Sequence, residues 1–232
     1  MSLDVVFFDV GNTLLFPEHE KTLGPLWKRG HNPTEAQLYA AERVARQEMD
    51  LLVSRTRKVD QQYWEIYYAH LLNKLGISDV SLRLELVSLA RTSANWSRLR
   101  PGTAQVLAQI KQEYRLGVIS NSDGQMSERL AALGLREYFE QVIDSGKVGY
   151  EKPAPQIFQA ALSAMSVPAA RALYLGDIYS VDYLGAQGAG MKAILMDVAG
   201  VYATRNLPRI ESLDELRGSI LDLDRAGLRG GA

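Results

Sequence analysis

Asp9 closes an apolar run, Val5-Val6-Phe7-Phe8, and is followed by Val10-Gly11-Asn12-Thr13. A carboxylate at the end of a buried strand is expensive in isolation. Ionised, it must be paired, hydrogen-bonded or metal-bound. Two further runs stop in the same way: Leu116-Gly117-Val118-Ile119 leads into Ser120-Asn121, and Ala172-Leu173-Tyr174-Leu175-Gly176 leads into Asp177. Three apolar runs that each end on a small polar or acidic residue predict one site at the carboxyl edge of a sheet. In open α/β sheets that edge binds ligands where the strand order reverses.

The elements that must position these residues are readable from periodicity. Residues 3–9 form a near-continuous apolar run, the pattern of a strand buried on both faces. From Pro17 to about Trp96 the apolar residues recur at helical spacing instead. Asn32-Pro33-Thr34-Glu35 offers an N-cap, a first-turn proline and a capping-box glutamate for a helix running toward Met49. A second helix is expected from about Gln61 to Leu75, stopping at Gly76, and Ser78-Asp79 caps a third over 80–92. After Arg100-Pro101-Gly102-Thr103 the chain alternates. Helices are expected over 103–112, 126–133, from Pro153 or Pro155 to about Met165, 181–189 and 212–221, and strands over 115–119, 141–144, 172–176 and 193–196. Such alternation predicts an α/β fold with right-handed crossovers and a mainly parallel sheet covered on both faces. The tail 225–232, with three glycines, is expected to fray.

Composition narrows the function classes. The 232 residues carry a formal net charge of −1, which gives no broad attraction to nucleic acid or anionic membrane. Arg55-Thr56-Arg57-Lys58 is the densest basic cluster and reads as a solvated helix end. The absence of cysteine excludes disulfides and thiolate zinc sites, and His19, His31 and His70 are too scattered for the usual catalytic zinc centre. No apolar stretch approaches the ~20 residues of a membrane helix, and Met1-Ser2-Leu3-Asp4 lacks signal-peptide features. A cytoplasmic enzyme is the expectation. The run Gly185-Ala186-Gln187-Gly188-Ala189-Gly190 lacks dinucleotide-binding spacing and reads as close helix packing. Tyr63, Trp64, Tyr67 and Tyr68, at helical spacing, read mostly as helical core, with one member facing a site.

The segments Asp9-Val10-Gly11-Asn12-Thr13, Ser120-Asn121, Lys152-Pro153 and Gly176-Asp177-Ile178-Tyr179-Ser180-Val181-Asp182 resemble, in order, the four motifs of the haloacid dehalogenase superfamily. Each alone is weak. Together, at the ends of expected strands and with a helical insertion after the first, they are specific, and the resemblance spans essentially the whole chain. It implies a Rossmann-like, doubly wound core from residues 1–16 and 99–232, and an inserted all-helical cap from residues 17–98. It also implies a hydrolase, most often a Mg²⁺-dependent phosphatase. On that resemblance Asp9 is the nucleophile that forms an aspartyl-phosphate. Ser120 and the Asn121 backbone N–H bind phosphate oxygens, and Lys152 bridges the nucleophile and the transferring group. Asp9, Asp177 and the Gly11 carbonyl would hold Mg²⁺. Asp182 would orient water or Lys152 from behind, unless it is simply a carboxylate favoured by a helix N-terminus.

The resemblance departs at one position. Family phosphatases usually carry a second aspartate two residues after the nucleophile, which protonates the leaving oxygen; here that residue is Gly11. General acid–base help is typically worth ~10²–10⁴ in rate. Glu18, His19 and Glu20 are the nearest ionisable residues in sequence and read as cap-hinge surface. The leading expectation is Mg²⁺-dependent hydrolysis of a small phosphorylated metabolite. The alternatives are a metal-independent 2-haloacid dehalogenase using the same Asp9, and a non-catalytic phosphate-ligand or partner-binding pseudoenzyme. No nucleic-acid or membrane partner is expected, and the chain is expected as a monomer or homodimer.

Overall fold

A computed structural model describes residues 3–56, 59 and 62–229. The sequence expectations for Gln61, for Arg57-Lys58, for Met1-Ser2 and for the last three residues lie outside that set. Six strands form one parallel sheet: β1 (Val5–Phe8), β4 (Arg115–Ser120), β5 (Gln141–Asp144), β6 (Ala172–Gly176), β7 (Lys192–Met196) and β8 (Arg209–Ile210). Their spatial order is β5-β4-β1-β6-β7-β8. The chain lays β4 and β5 on one side of β1 and then crosses to build β6, β7 and β8 on the other. The order therefore reverses between β1 and β6, and a crevice opens beyond their carboxyl ends.

Alternate side chains of β1 serve opposite faces. Val6 and Phe8 join one apolar cluster with α6 (Thr103–Ile110), α7 (Met126–Ala132) and α11 (Leu216–Arg229). Val5 and Phe7 join another with α9 (Pro155–Ala164) and α10 (Leu184–Gly188). Every residue of β1 and β6 is buried, which is why both read as unbroken apolar runs.

The inserted helices have their own core. In α3 (Glu35–Thr56), Ala41, Ala45, Met49 and Val53 recur every four residues and pack on α4 (Tyr63–Lys74), which packs on α5 (Val80–Arg91). Two short helices, α1 (His19–Thr22) and α2 (Gly24–Lys28), precede them. Among the described residues no helix is long and apolar enough to cross a membrane.

Several local expectations need correction. The chain enters and leaves the helical region through an antiparallel pair, β2 (Leu15–Pro17) and β3 (Trp96–Leu99), too short to show a period. The capping box of α3 lies two residues later than Asn32-Glu35. The Thr34 hydroxyl accepts from Gln37 N at 3.3 Å, and Gln37 Oε1 accepts from Thr34 N at 2.8 Å. That helix also runs past Met49 to Thr56. The expected helix over 181–189 starts with a π turn, Tyr179–Tyr183, before α10. The expected helix over 212–221 starts at Leu216 and continues to Arg229, so most of the tail read as frayed is helical. The edge strand β8 and the short α8 (Ser145–Val148) carry no signal that the sequence reading used.

Candidate active site

Asp9 follows β1, Asp177 follows β6, and Ser120 ends β4, so three neighbouring strands deliver them to one edge. Lys152 lies between α8 and α9 and is only 2% exposed. Its Nζ donates to Asp9 Oδ1 at 2.6 Å, to Asp182 Oδ1 at 2.7 Å and to the Tyr174 hydroxyl at 2.7 Å. The main chain of Lys152 is clamped as well. Asn121 Oδ1 accepts from its N–H at 2.8 Å, and Asn121 Nδ2 donates to its carbonyl at 3.1 Å. The Asn121 side chain thus ties the end of β4 to the lysine.

Asp182 reaches the lysine because Gly176 leaves room. A Cβ on Gly176 would fall 2.5 Å from Asp182 Cγ, closer than atoms pack. The π turn brings Asp182 back over the strand end, where Oδ2 accepts from Ile178 N at 2.9 Å. Gly185 is constrained in the same way: a Cβ there would meet the Phe158 ring at 2.9 Å and Pro153 Cα at 3.3 Å. Close packing accounts for Gly185, and no strand-to-helix phosphate turn is present at this glycine run.

Oxygens of Asp9, Asp177 and Asp182 all lie within 4.8 Å of one another, and all three residues are buried. Hard carboxylate oxygens with no nitrogen or sulfur donor suit Mg²⁺ or a similar cation. Asp9 Oδ2 also accepts from the Thr13 hydroxyl at 3.2 Å, inside the turn that follows β1. In that turn Asn12 takes the left-handed conformation (φ 54), and Gly11 bridges to Leu15. Gly11 lines the same cavity as Ser120, Asn121 and the carboxylates.

Burial pushes Asp9 up to about 7; Lys152 opposes this, while Asp182 and Asp177 add to it. Burial likewise raises Asp177, against the pull of Arg46. For Lys152 burial works downward, but Asp182 and Asp9 hold the ammonium above the usual lysine value.

Arg46 is one of the residues that sequence reasoning missed. It stands on α3 and donates from a terminal guanidinium nitrogen to Asp177 Oδ2 at 2.6 Å. One turn further on, Asp50 Oδ1 accepts from Ser180 N at 2.8 Å. Val181 and Ile178 of the same core turn pack into the helical cluster. Two cations, Lys152 and Arg46, therefore face three carboxylates. The cavity above them measures about 1100 Å³. All four aromatic residues of α4 that the sequence singled out line it, where one was expected: Tyr63, Trp64, Tyr67 and Tyr68. Glu18 turns instead to the Ser97 hydroxyl, at 3.1 Å.

A doubly wound parallel sheet with a helical insertion after its first strand, carrying an Asp–Lys–Asp cluster at the switch point, defines a class. The family model for haloacid dehalogenase-like hydrolases matches residues 3–190, and the chain belongs to that family. It is 32% identical over 140 residues to mouse (Mus musculus) haloacid dehalogenase-like hydrolase domain-containing protein 3, covering 59% of this chain and 56% of that protein. It is 39% identical over 116 residues to the glyceraldehyde 3-phosphate phosphatase of Methanothermobacter thermautotrophicus, covering 49% of this chain and 51% of that enzyme. The chain thus spans about half the length of these curated relatives. A magnesium-bound HAD-hydrolase of Bacillus subtilis, YfnB, shares the fold with a TM-score of 0.70 at 19% identity, over 95% of this chain and 99% of that one.

Proposed function

We propose that this protein is a Mg²⁺-dependent phosphatase that hydrolyses a small phosphomonoester through a phosphorylated Asp9. The observation that carries this reading is Lys152 Nζ held at 2.6–2.7 Å between Asp9 and Asp182, beside the oxygens of Asp177. Phosphoryl transfer depends mostly on positioning and charge neutralisation, which this cluster offers. The phosphatase name of the archaeal relative supports it.

Asp9, Asp177 and the Gly11 carbonyl would hold the cation, with Asp182 behind them. When bound, Mg²⁺ supplies positive charge against the phosphoryl oxygens. The remaining steps fall to the protein. An Asp9 carboxylate oxygen attacks phosphorus, and Lys152 aims that carboxylate and favours its ionised form against burial. Ser120, buried at the end of β4, donates its hydroxyl to a phosphoryl oxygen, with the Asn121 N–H beside it. The helical cap over the cavity excludes water during transfer. Arg46 must release one Asp177 oxygen, or share it, when a cation enters.

That Arg46–Asp177 pair also favours a second reading, metal-independent 2-haloacid hydrolysis, because it neutralises Asp177 with the chain's own cation. One panel decides: phosphate esters and 2-haloacids, each with Mg²⁺ and with chelator. Phosphate release that needs Mg²⁺ is the expected result. Halide release in chelator selects the second reading, and silence on every compound removes both in favour of a binding role.

A further inference from the structure

The loop after Asp9 and the strand that covers it restrict the leaving group. Val10, Gly11, Asn12 and Thr13 carry no ionisable side chain. A Cβ on Gly11 would lie 3.4 Å from Cζ3 and 3.7 Å from Cε3 of Trp96, in ordinary contact, so the indole packs directly over this position. Trp96 is fixed in place, its Nε1 donating to Ala90 O at 2.9 Å. Its ring lies 6.0 Å from that of Trp64, which meets Tyr63 and Tyr67 edge-on at 5.4 and 5.6 Å. This aromatic wall lines the cavity above the nucleophile.

The carboxylates at the sheet edge are committed to other partners, while His19, Glu42 and Glu151 also line the cavity. Asp9 and Asp182 face Lys152, and Asp177 faces Arg46. Asp123 accepts from Ser93 N and Gln125 N, and these bonds hold it below the usual carboxylate value although burial works the other way. In an in-line displacement the leaving oxygen lies opposite the attacking one. From Asp9 at the sheet edge it departs toward the cap, where Trp96 stands.

Resting on the phosphatase reading above, we propose that the site is selective for phosphate monoesters of phenols and similar leaving groups, which pack against Trp96 and depart as anions without a proton from the protein. In the first step an Asp9 oxygen bonds to phosphorus as the aryl O–P bond breaks. The electron pair stays on the aryloxide, which takes its proton from solvent. In the second step a water oxygen bonds to phosphorus and the Asp9 O–P bond breaks. That pair returns to the carboxylate, and the water proton passes to the released phosphate.

The test is kcat/KM with Mg²⁺ for nitrophenyl, phenyl and primary alkyl phosphates, because this quantity reports the first step. It falls at least ~10²-fold from phenyl to alkyl, the lower end of what a general acid would otherwise supply. Trp96→Leu lowers kcat/KM for phenyl phosphate by up to about tenfold more than for the alkyl ester, the worth of an aromatic contact. The ester series needs no variant, so a misfolded Trp96→Leu does not spoil it. A spread smaller than about tenfold overturns the proposal while leaving the phosphatase reading intact. So does a shallow series that turns steep in His19→Gln, Glu42→Gln or Glu151→Gln, which would mark a proton donor among these cavity-lining residues. Inertness toward every ester removes both readings together.

Discussion

Lys152 has three N–H bonds, and three oxygens meet them: Asp9 Oδ1, Asp182 Oδ1 and the Tyr174 hydroxyl. That hydroxyl also lies 3.1 Å from both Ile119 O and Asp182 Oδ1, so its single proton serves one of them at a time. Removing the ammonium leaves buried carboxylates without their nearest counter-charge, a change that typically costs about 3–5 kcal/mol. Lys152→Met is therefore expected to lose stability of that order in chelator, measured by denaturant titration, and to recover part of it with Mg²⁺. Parent-like stability in chelator would mean that the cluster is not held by charge. Asp9 is legible in the sequence because a polar group that ends an apolar run is conspicuous, whereas Lys152 and Asp182 are legible only through the ordered motifs that carry the resemblance. Tyr174 is not: in a strand buried on both faces it counts as one more large apolar residue, and only the fold shows its hydroxyl at the edge. Trp96 over Gly11 is hidden for a similar reason, since 85 positions of chain separate them.

At the scale of elements, α3 is both a wall of the helical core and a bridge to the carboxyl edge of the sheet. Its buried face carries alanines, methionine and valine at four-residue spacing, while Arg46 and Asp50, also four apart, reach Asp177 and Ser180 N. The apolar stripe was readable. The bridge was not, because a lone arginine on an amphipathic helix looks solvated and its partner lies 131 residues away. Strands β1, β4 and β6 were legible from their apolar runs, whereas β2 and β3, of three and four residues with Pro17 in the pair, have no period to read. Arg46→Gln removes a cation that competes for Asp177. Its Mg²⁺ affinity by calorimetry should be tighter than that of the parent, and its helix content unchanged. Weaker Mg²⁺ binding would show instead that Arg46 pre-shapes the carboxylate for the metal.

The whole molecule should register the buried acids as a pH dependence. Asp9 moves from an unfolded value of 3.8 to about 7, chiefly through burial, and burial raises Asp50 and Asp177 in the same direction. A carboxyl with a raised folded pKa holds its proton more tightly in the folded state, so stability is greatest below the unfolded value and falls as pH rises toward the folded one. In chelator the melting temperature should therefore decline between about pH 4 and about pH 7. Mg²⁺ should flatten that decline, since a cation favours the ionised carboxylates. A melting temperature that climbs with pH in chelator would contradict the assignment. The paired strands β2 and β3 have a mechanical meaning too. Two loose tethers would let the helical unit rock about either one. Hydrogen-bonded to each other, they make a single plate, riveted at Leu15 to Gly11 and at Trp96 to Ala90 of α5. A swing of the helices would therefore turn on one axle, with the Trp96 side chain tying that plate to α5 and the Leu15 bridge tying it to the turn after Asp9.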